Sequence, residues 1–424
     1  MKVFVVCHTI TNRLGYTLDF IFNDLLATGY TIVKEVPESS EGAVIAYGIH
    51  HASAYNIKSA GILFEEGVRK VLPEVKGTAE EAQLFPATGS DHPFDIFSAV
   101  FYLVSRYEEY LPFTGDIYHR FPHTQSLAFR YQFLHYPVIN KWVNDLALAL
   151  NRKFPAFKTS TPKWKYLPTY DIDIAWAYRN KGFIRNLGGW IKSPGTARLK
   201  TLLNLTPDPF DSFSFLNSLH EQFNLHPIYF WLVAKKRGRL DRNISPENLS
   251  MRALIKEYAH HTNGLHPSWY SHDHPSALGK EKQTLEELLN KKITYSRQHY
   301  LRFTLPETYD ILLDTGITDE YSMGYGTTNG FRASTSSPFK WFNLLKNEST
   351  PLIVHPFCFM DANSFYEQKQ DAEESYSELM TYKEACKREG GTLITIFHNN
   401  FLGTDPRHKG WREMYQKFIQ EVHS

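Results

Sequence analysis

The 424-residue sequence is poor in cysteine, with only Cys7, Cys358 and Cys386, an odd number at wide spacing. No disulfide framework and no CxxC metal site can be drawn from them, so a reducing interior is the simpler compartment. It also lacks a charge excess: 46 Lys and Arg stand against 45 Asp and Glu, a formal net charge of +1. Dedicated nucleic-acid binders normally carry a basic excess, so that class is set aside. No apolar run approaches membrane-span length, and there is no internal repeat, low-complexity segment or long linker. The opening MKVFVVCHTITNRLGYTLDF has a short apolar run without a small-residue cleavage site. It reads as a first β-strand rather than a signal peptide, and cytoplasm is the expected location.

What is present is ample core material, 42% hydrophobic, and an aromatic content of 15%. Flat rings serve sugar sites and large cores alike, so the aromatics alone decide nothing. The first part alternates strand-like runs (KVFVVCHT, AVIAYGI, SAGILF) with helical ones: Leu18 to Ala27, the 94–113 stretch FDIFSAVFYLVSRYEEYLPF, and Pro137 to Leu150. A Lys/Pro-rich stretch from Arg152 to Lys165 reads as a connector. From Tyr166 the grammar becomes β-run, helix, β-run. YLPTYDID, HPIYFWLVA, the end of HHTNGLHP, KITYSR, TPLIVHPF and GGTLITIFHN are the strands, and SALGKEKQTLEELLNK and DAEESYSELMTYKEACKREG the clearest helices. Alternation of this kind predicts a parallel sheet with right-handed crossovers, and six or more units favour a closed or nearly closed barrel. The expected fold is therefore α/β: a smaller N-terminal α/β domain over 1–160, and an incomplete or distorted (β/α) barrel of about seven strands over 161–424.

Several of these strands end in a polar residue: Asp171 and Asp173, His266, Arg297 then His299, His355 and His398. In a parallel barrel the C-terminal strand ends meet at one face, where ligands bind. Carboxylate and neutral imidazole converging there can hold a divalent metal. Alternate strand residues point the same way, so Asp171 and Asp173 share a face.

At TYDID, GLHPSWYSH, SRQHY and LIVHP the sequence resembles the polysaccharide deacetylases (NodB-like, carbohydrate esterase family four). It is similar to a divergent branch with an added N-terminal domain, on the strength of the 94–111 stretch, RFPHTQSLAFRYQFLHYPVINKW and TDEYSMGYGTTNGFRAST. The resemblance implies that Asp171 is a catalytic base and Asp173 a metal ligand, although the family's paired aspartates are adjacent and these are not. His266 fits the first histidine of the second motif, but Tyr270 stands where its partner belongs. His272 and His274 are the nearest replacements and read more simply as surface residues. In the third motif His299 replaces a proline and offers the missing imidazole. The implied ligand set is Asp173, His266 and His299, with His272 and His398 as rivals for the third place, and Arg297 orienting the base. The proton for the leaving amine comes from His355 or His398, which stay unranked, and Asp361 can approach the same site.

The resemblance thus implies a hydrolase that removes acetyl groups, in the first place N-acetyl, from a saccharide with a divalent metal, zinc before cobalt or nickel. Trp176, Tyr270, Tyr300 and Arg332 are the candidate substrate contacts, with Trp269 a further ring. Between Asp173 and Asp208 there is no acidic residue but six basic ones, Arg179, Lys181, Arg185, Lys192, Arg198 and Lys200. That stretch reads as a solvated basic helix or as a lid suited to an anionic or lipid-linked saccharide. The competing reading is an inactive deacetylase-like barrel that only binds carbohydrate. A changed bond, another amide or a glycosidic linkage, ranks last, because glycosidases typically need two separated carboxylates.

Overall fold

A computed structural model describes residues 2–37, 42–158, 163–182, 186–187, 196–236 and 238–423. The N-terminal part is built on a parallel sheet of four strands, β1 (Lys2–Val6), β2 (Gly29–Val33), β3 (Ala43–Tyr47) and β4 (Tyr55–Ile57), in the order β2-β1-β3-β4. The apolar run AVIAY of β3 is buried throughout, as a central parallel strand requires. A two-residue ribbon, β5 (Val75–Lys76) against β6 (Gln83–Leu84), follows. Helix Ile96–Val104 is apolar on every side and wholly buried; Asp95 caps it by accepting from the Ser98 amide. Two expectations shift here. The helix predicted from Leu18 begins earlier, at Asn12, where Thr11 accepts from Leu14 N, and continues as a wider turn over Asp19–Leu25. SAGILF is not a strand. Gly61 takes φ 92°, Ser59 bonds its amide, and a short 3-10 turn follows at Ile62–Phe64.

The second sheet comprises β7 (Lys165–Ile172), β8 (Ile228–Trp231), β9 (Thr262–Leu265), β10 (Tyr295–Ser296), β11 (Asp319–Glu320), β12 (Phe339–Asn343), β13 (Glu348–Val354), β14 (Phe359–Met360) and β15 (Thr392–His398). Its order is β12-β13-β11-β10-β9-β8-β7-β15-β14, parallel except for the antiparallel edge strand β12. Among the described residues the ladder is open, since β12 and β14 each have one neighbour. Even so, Phe230 of β8, Tyr321 after β11, Phe357 before β14 and Ile394 of β15 share one buried cluster, separate from the main core. Side chains from distant strands meet only if the sheet curls around them. Helix Ala372–Glu389 starts at a capping box, Asp371 with Glu374, and stops at Gly390.

The two sheets share one continuous hydrophobic core running from Val3 to Ile419. Polar ties cross between them as well: Tyr16 donates to Lys340 O, Trp341 to Tyr110, and Asn140 to Ser337. No helix among the described residues is long and apolar enough to cross a membrane.

Candidate active site

The C-terminal ends of β7, β9 and β15 open into a cleft of about 270 Å³. Asn243 pins the first of these ends, donating to Ile172 O and Leu232 O, and Asn399 donates to Ile174 O, Ala175 O and Phe210 O just beyond it. Asp171, Asp173, His266, His299 and His398 all line the cleft. Asp173, His266 and His299 offer three ligand atoms that lie within 4.8 Å of one another. Asp173 Oδ1 is 3.1 Å from His266 Nε2, and Oδ2 is 3.3 Å from His299 Nε2. Despite that approach, buried Asp173 Oδ1 has no hydrogen-bond partner. A buried carboxylate oxygen left unpaired beside two imidazoles suits a shared cation, and one carboxylate with two imidazoles is a donor set that zinc accepts.

Each imidazole is oriented from behind. His266 Nδ1 sits 2.5 Å from Arg297 O, and His299 Nδ1 is 2.9 Å from Asp241 Oδ1. Such outer partners fix which ring nitrogen faces a metal. Asp241 also accepts from the Trp269 and Tyr270 amides. Burial disfavours charge on His299, but Asp173 and Asp241 outweigh it and raise its pKa to about 9. Burial likewise opposes ionisation of Asp173, yet the two histidines hold it well below the usual carboxylate range.

Asp171 and Arg297 form a buried pair beside this cluster. Arg297 Nη1 donates to Asp171 Oδ1 at 2.8 Å and to Thr169 Oγ1 at 2.8 Å, and Arg297 Nε donates to Tyr321 O. The guanidinium lies 4.3 Å from the Phe230 ring centre and is fully buried. On the other side His398 Nε2 is 3.6 Å from Asp173 Oδ2, while its Nδ1 and its amide each lie 2.6 Å from an oxygen of Asp361. Burial opposes protonation of His398, but Asp361, then Asp173 and Asp171, raise its pKa to about 10. The imidazole therefore carries a proton at neutral pH.

Other expected site residues fall elsewhere. His355 does not line the cleft; it bonds Asp319 at 2.8 Å and stacks on Tyr321 with ring centres 4.2 Å apart. β13, which delivers it, is separated from β7 by four strands, whereas β15 is β7's neighbour. Arg332 is 1% exposed and held by Glu109 and Gly324 O, a structural position rather than a substrate contact. Trp176 is buried away from the lining, and Tyr270 stacks on His274 with Lys236 over its ring. His272 is absent from the ligand cluster, and His274 is exposed. Tyr300 does line the cleft. Of the basic stretch, Arg185 and Lys192 lie outside the described residues. Asp241, Tyr118, Arg120, Asn363 and Tyr366 are site residues that the sequence pattern does not single out.

Residues 3–155 match the model of DUF7033, a family of unknown function. No curated protein matches the chain. Among solved structures, a Mycobacterium smegmatis protein named for polysaccharide deacetylases aligns at 13% identity over 62% of this chain and 85% of its own, with TM-score 0.41. The polysaccharide deacetylase Bc1974 from Bacillus cereus aligns at 10% identity over 61% and 88%, with TM-score 0.30. The allantoinase PuuE aligns at 12% identity over 61% and 83%, with TM-score 0.35. At these scores the likeness carries no functional weight.

Proposed function

We propose that the chain is a metal-dependent hydrolase that removes acetyl groups, in the first place N-acetyl, from a saccharide. The observation that carries this reading is one cleft holding a three-ligand cluster between an Arg-held carboxylate and a carboxylate-held imidazole. Asp173, His266 and His299 would hold the cation, zinc before cobalt or nickel. A divalent cation there supplies Lewis acidity to the acyl carbonyl and to water. Asp171, fixed by Arg297, takes the proton of the attacking water. His398, kept protonated by Asp361, delivers a proton to the departing nitrogen. In the same reading the curled sheet is an incomplete barrel of the NodB-like kind, residues 161–424 form the catalytic domain, and residues 1–160 form a smaller N-terminal α/β domain in a cytoplasmic protein.

Elemental analysis of tag-free protein tests the metal site. Wild type should bind about one equivalent of zinc, lost in Asp173→Ala and His299→Ala. The pH dependence follows from His299. Below about 9 its proton must leave before a metal binds, so the apparent affinity should rise with pH up to that value. A wild type that takes up no zinc, cobalt or nickel would sink the hydrolase and leave a carbohydrate-binding protein.

The basic stretch after β7 extends the proposal to an anionic or lipid-linked saccharide. Arg198 stacks over Tyr178, and the amides of Ala177, Tyr178 and Arg179 converge on buried Asp208, which ties the start of the segment down. Replacing Arg179, Lys181 and Arg185 together should weaken binding of a sulfated or phosphorylated chito-oligosaccharide and flatten its salt dependence. Equal affinity and equal salt slope would remove the lid from the reading.

A further inference from the structure

We propose that the loop 112–126, which belongs to the N-terminal region, completes a saccharide subsite in the cleft, with Tyr118 as its ring-stacking platform. This rests on the hydrolase reading for the reaction but not for the binding. Tyr118 and Arg120 line the cleft beside the His299 end of the ligand cluster, although they precede β7 in the chain by about fifty residues. Tyr118 is half-buried, and its ring lies 5.3 Å from both Tyr300 and Trp269, so three rings continue outward from His299. Tyr366, which lines the same cleft, is 47% exposed and packs edge-on against Phe401. Among the described residues most rings are buried. Two accessible tyrosines lining one cleft offer rings for the apolar faces of a pyranose to pack against.

The polar groups of the cleft point the same way. Asn363 is fully buried; its Nδ2 donates to Tyr325 O and Thr328 O, and its Oδ1 has no partner. Gln298 is 2% exposed, and its Nε2 has no partner. Both residues line the cleft. A buried acceptor and a buried donor left unpaired are costly unless a ligand or water answers them, and sugar hydroxyl or acetamido groups do so.

The platform is held in place before any ligand arrives. Asp116 Oδ1 accepts from the Tyr118 and Arg120 amides, Asp116 N donates to Arg120 O, and Arg120 Nε bonds Asp116 Oδ2. The Arg120 guanidinium lies 4.9 Å from the Tyr118 ring centre and donates to Tyr300 O at 2.6 Å. Tyr300 and Leu301 both have positive φ, 60° and 52°, so this bond secures backbone that L-residues seldom adopt. Gly326 leaves room for the crossing: a Cβ there would come within 1.9 Å of Arg120 Nη1.

The test uses full-length, zinc-loaded protein with chitotetraose as the probe, measured by calorimetric binding and by acetate release. Tyr118→Ala should raise Kd and KM about tenfold while kcat changes less than about twofold, and Tyr118→Phe should stay within about twofold of wild type. Gly326→Ala, which displaces Arg120, should raise Kd in the same direction. Wild-type affinity in Tyr118→Ala overturns the proposal, as does a Tyr118→Phe variant that binds as poorly as Tyr118→Ala. A wild type that cleaves 4-nitrophenyl acetate but does not bind chitotetraose overturns the subsite and spares the hydrolase. Tyr118-dependent binding without turnover supports the subsite and overturns the hydrolase.

Discussion

Asparagine in place of Asp171 is expected to lower kcat for acetate release by about 10²- to 10⁴-fold, the usual range for a positioned general base. About one equivalent of metal should stay bound, because Asp171 is outside the three-ligand cluster and its nearer histidine contact, His266 Nε2, is 3.8 Å away. The substitution keeps the shape of the side chain and an oxygen for Arg297, whose guanidinium also donates to Thr169 and Tyr321. The buried guanidinium still loses its counter-charge, so the fold should lose about 3–5 kcal/mol, the range seen when one member of a buried ion pair is neutralised. Asp173→Asn gives the contrasting result, with metal and activity lost together. The two aspartates, two residues apart, are thus separable by elemental analysis and kinetics on the same samples. An Asp171→Asn enzyme within tenfold of wild type would move the base to another carboxylate on the cleft wall, and Glu367 is the one present.

The residues legible in the sequence are those whose chemistry coincides with a strand end. Asp171, Asp173, His266, Arg297, His299 and His398 all terminate or follow apolar runs, and a parallel sheet brings such ends to one side. The same logic could not rank His355 against His398. Both end an apolar strand, and only the strand order separates them, setting β15 beside β7 and leaving four strands between β7 and β13. Asp241 was invisible for a different reason: it sits in the irregular stretch between β8 and β9, amid basic residues, and has no periodic neighbour. Tyr118 reaches the cleft from a loop outside the sheet that bears Asp173, His266 and His299, a juxtaposition that no local pattern encodes. Among the strands, β11 and β14 are two residues each, too short for an alternation to show. Closure was undecidable in advance, because it depends on whether the two edges bond to each other. Here β12 instead caps β13 antiparallel, with a register shift between Lys340 and Phe342.

Alanine in place of Glu109 is expected to cost about 3–5 kcal/mol of unfolding free energy, the range seen when one member of a buried ion pair is removed. Glu109 Oε1 accepts from Arg106 Nε at 2.7 Å and Arg332 Nε at 2.9 Å, and Oε2 accepts from Arg332 Nη2 at 2.7 Å. Arg106 reaches back to Arg332 O as well, and Arg332 lies over Phe303 with 4.2 Å to the ring centre. None of the three side chains is more than 4% exposed, so water cannot replace the carboxylate. The cluster ties the turn after helix Ile96–Val104 to the stretch between β11 and β12, and so joins the two sheets. With Glu109 gone, Arg106 still has Glu108 at 3.1 Å, but Arg332 keeps only the carbonyl of Gly324. The double variant Glu109→Ala/Arg332→Ala should then cost less than the two single losses summed, since no guanidinium is left stranded. The pH dependence has a definite sign. Burial pushes the Glu109 carboxyl up, but Arg332 and Arg106 outweigh it and hold its pKa below the ordinary 4.5. A depressed carboxylate contributes stability that is fully present above its unfolded pKa and is lost as pH falls through the folded value. Urea unfolding of wild type should weaken below about pH 4.5 more steeply than that of Glu109→Ala. A Glu109→Ala loss under about 1 kcal/mol at pH 7, the size of an exposed ion pair, would show that the junction between the sheets rests on its aromatic and aliphatic contacts instead.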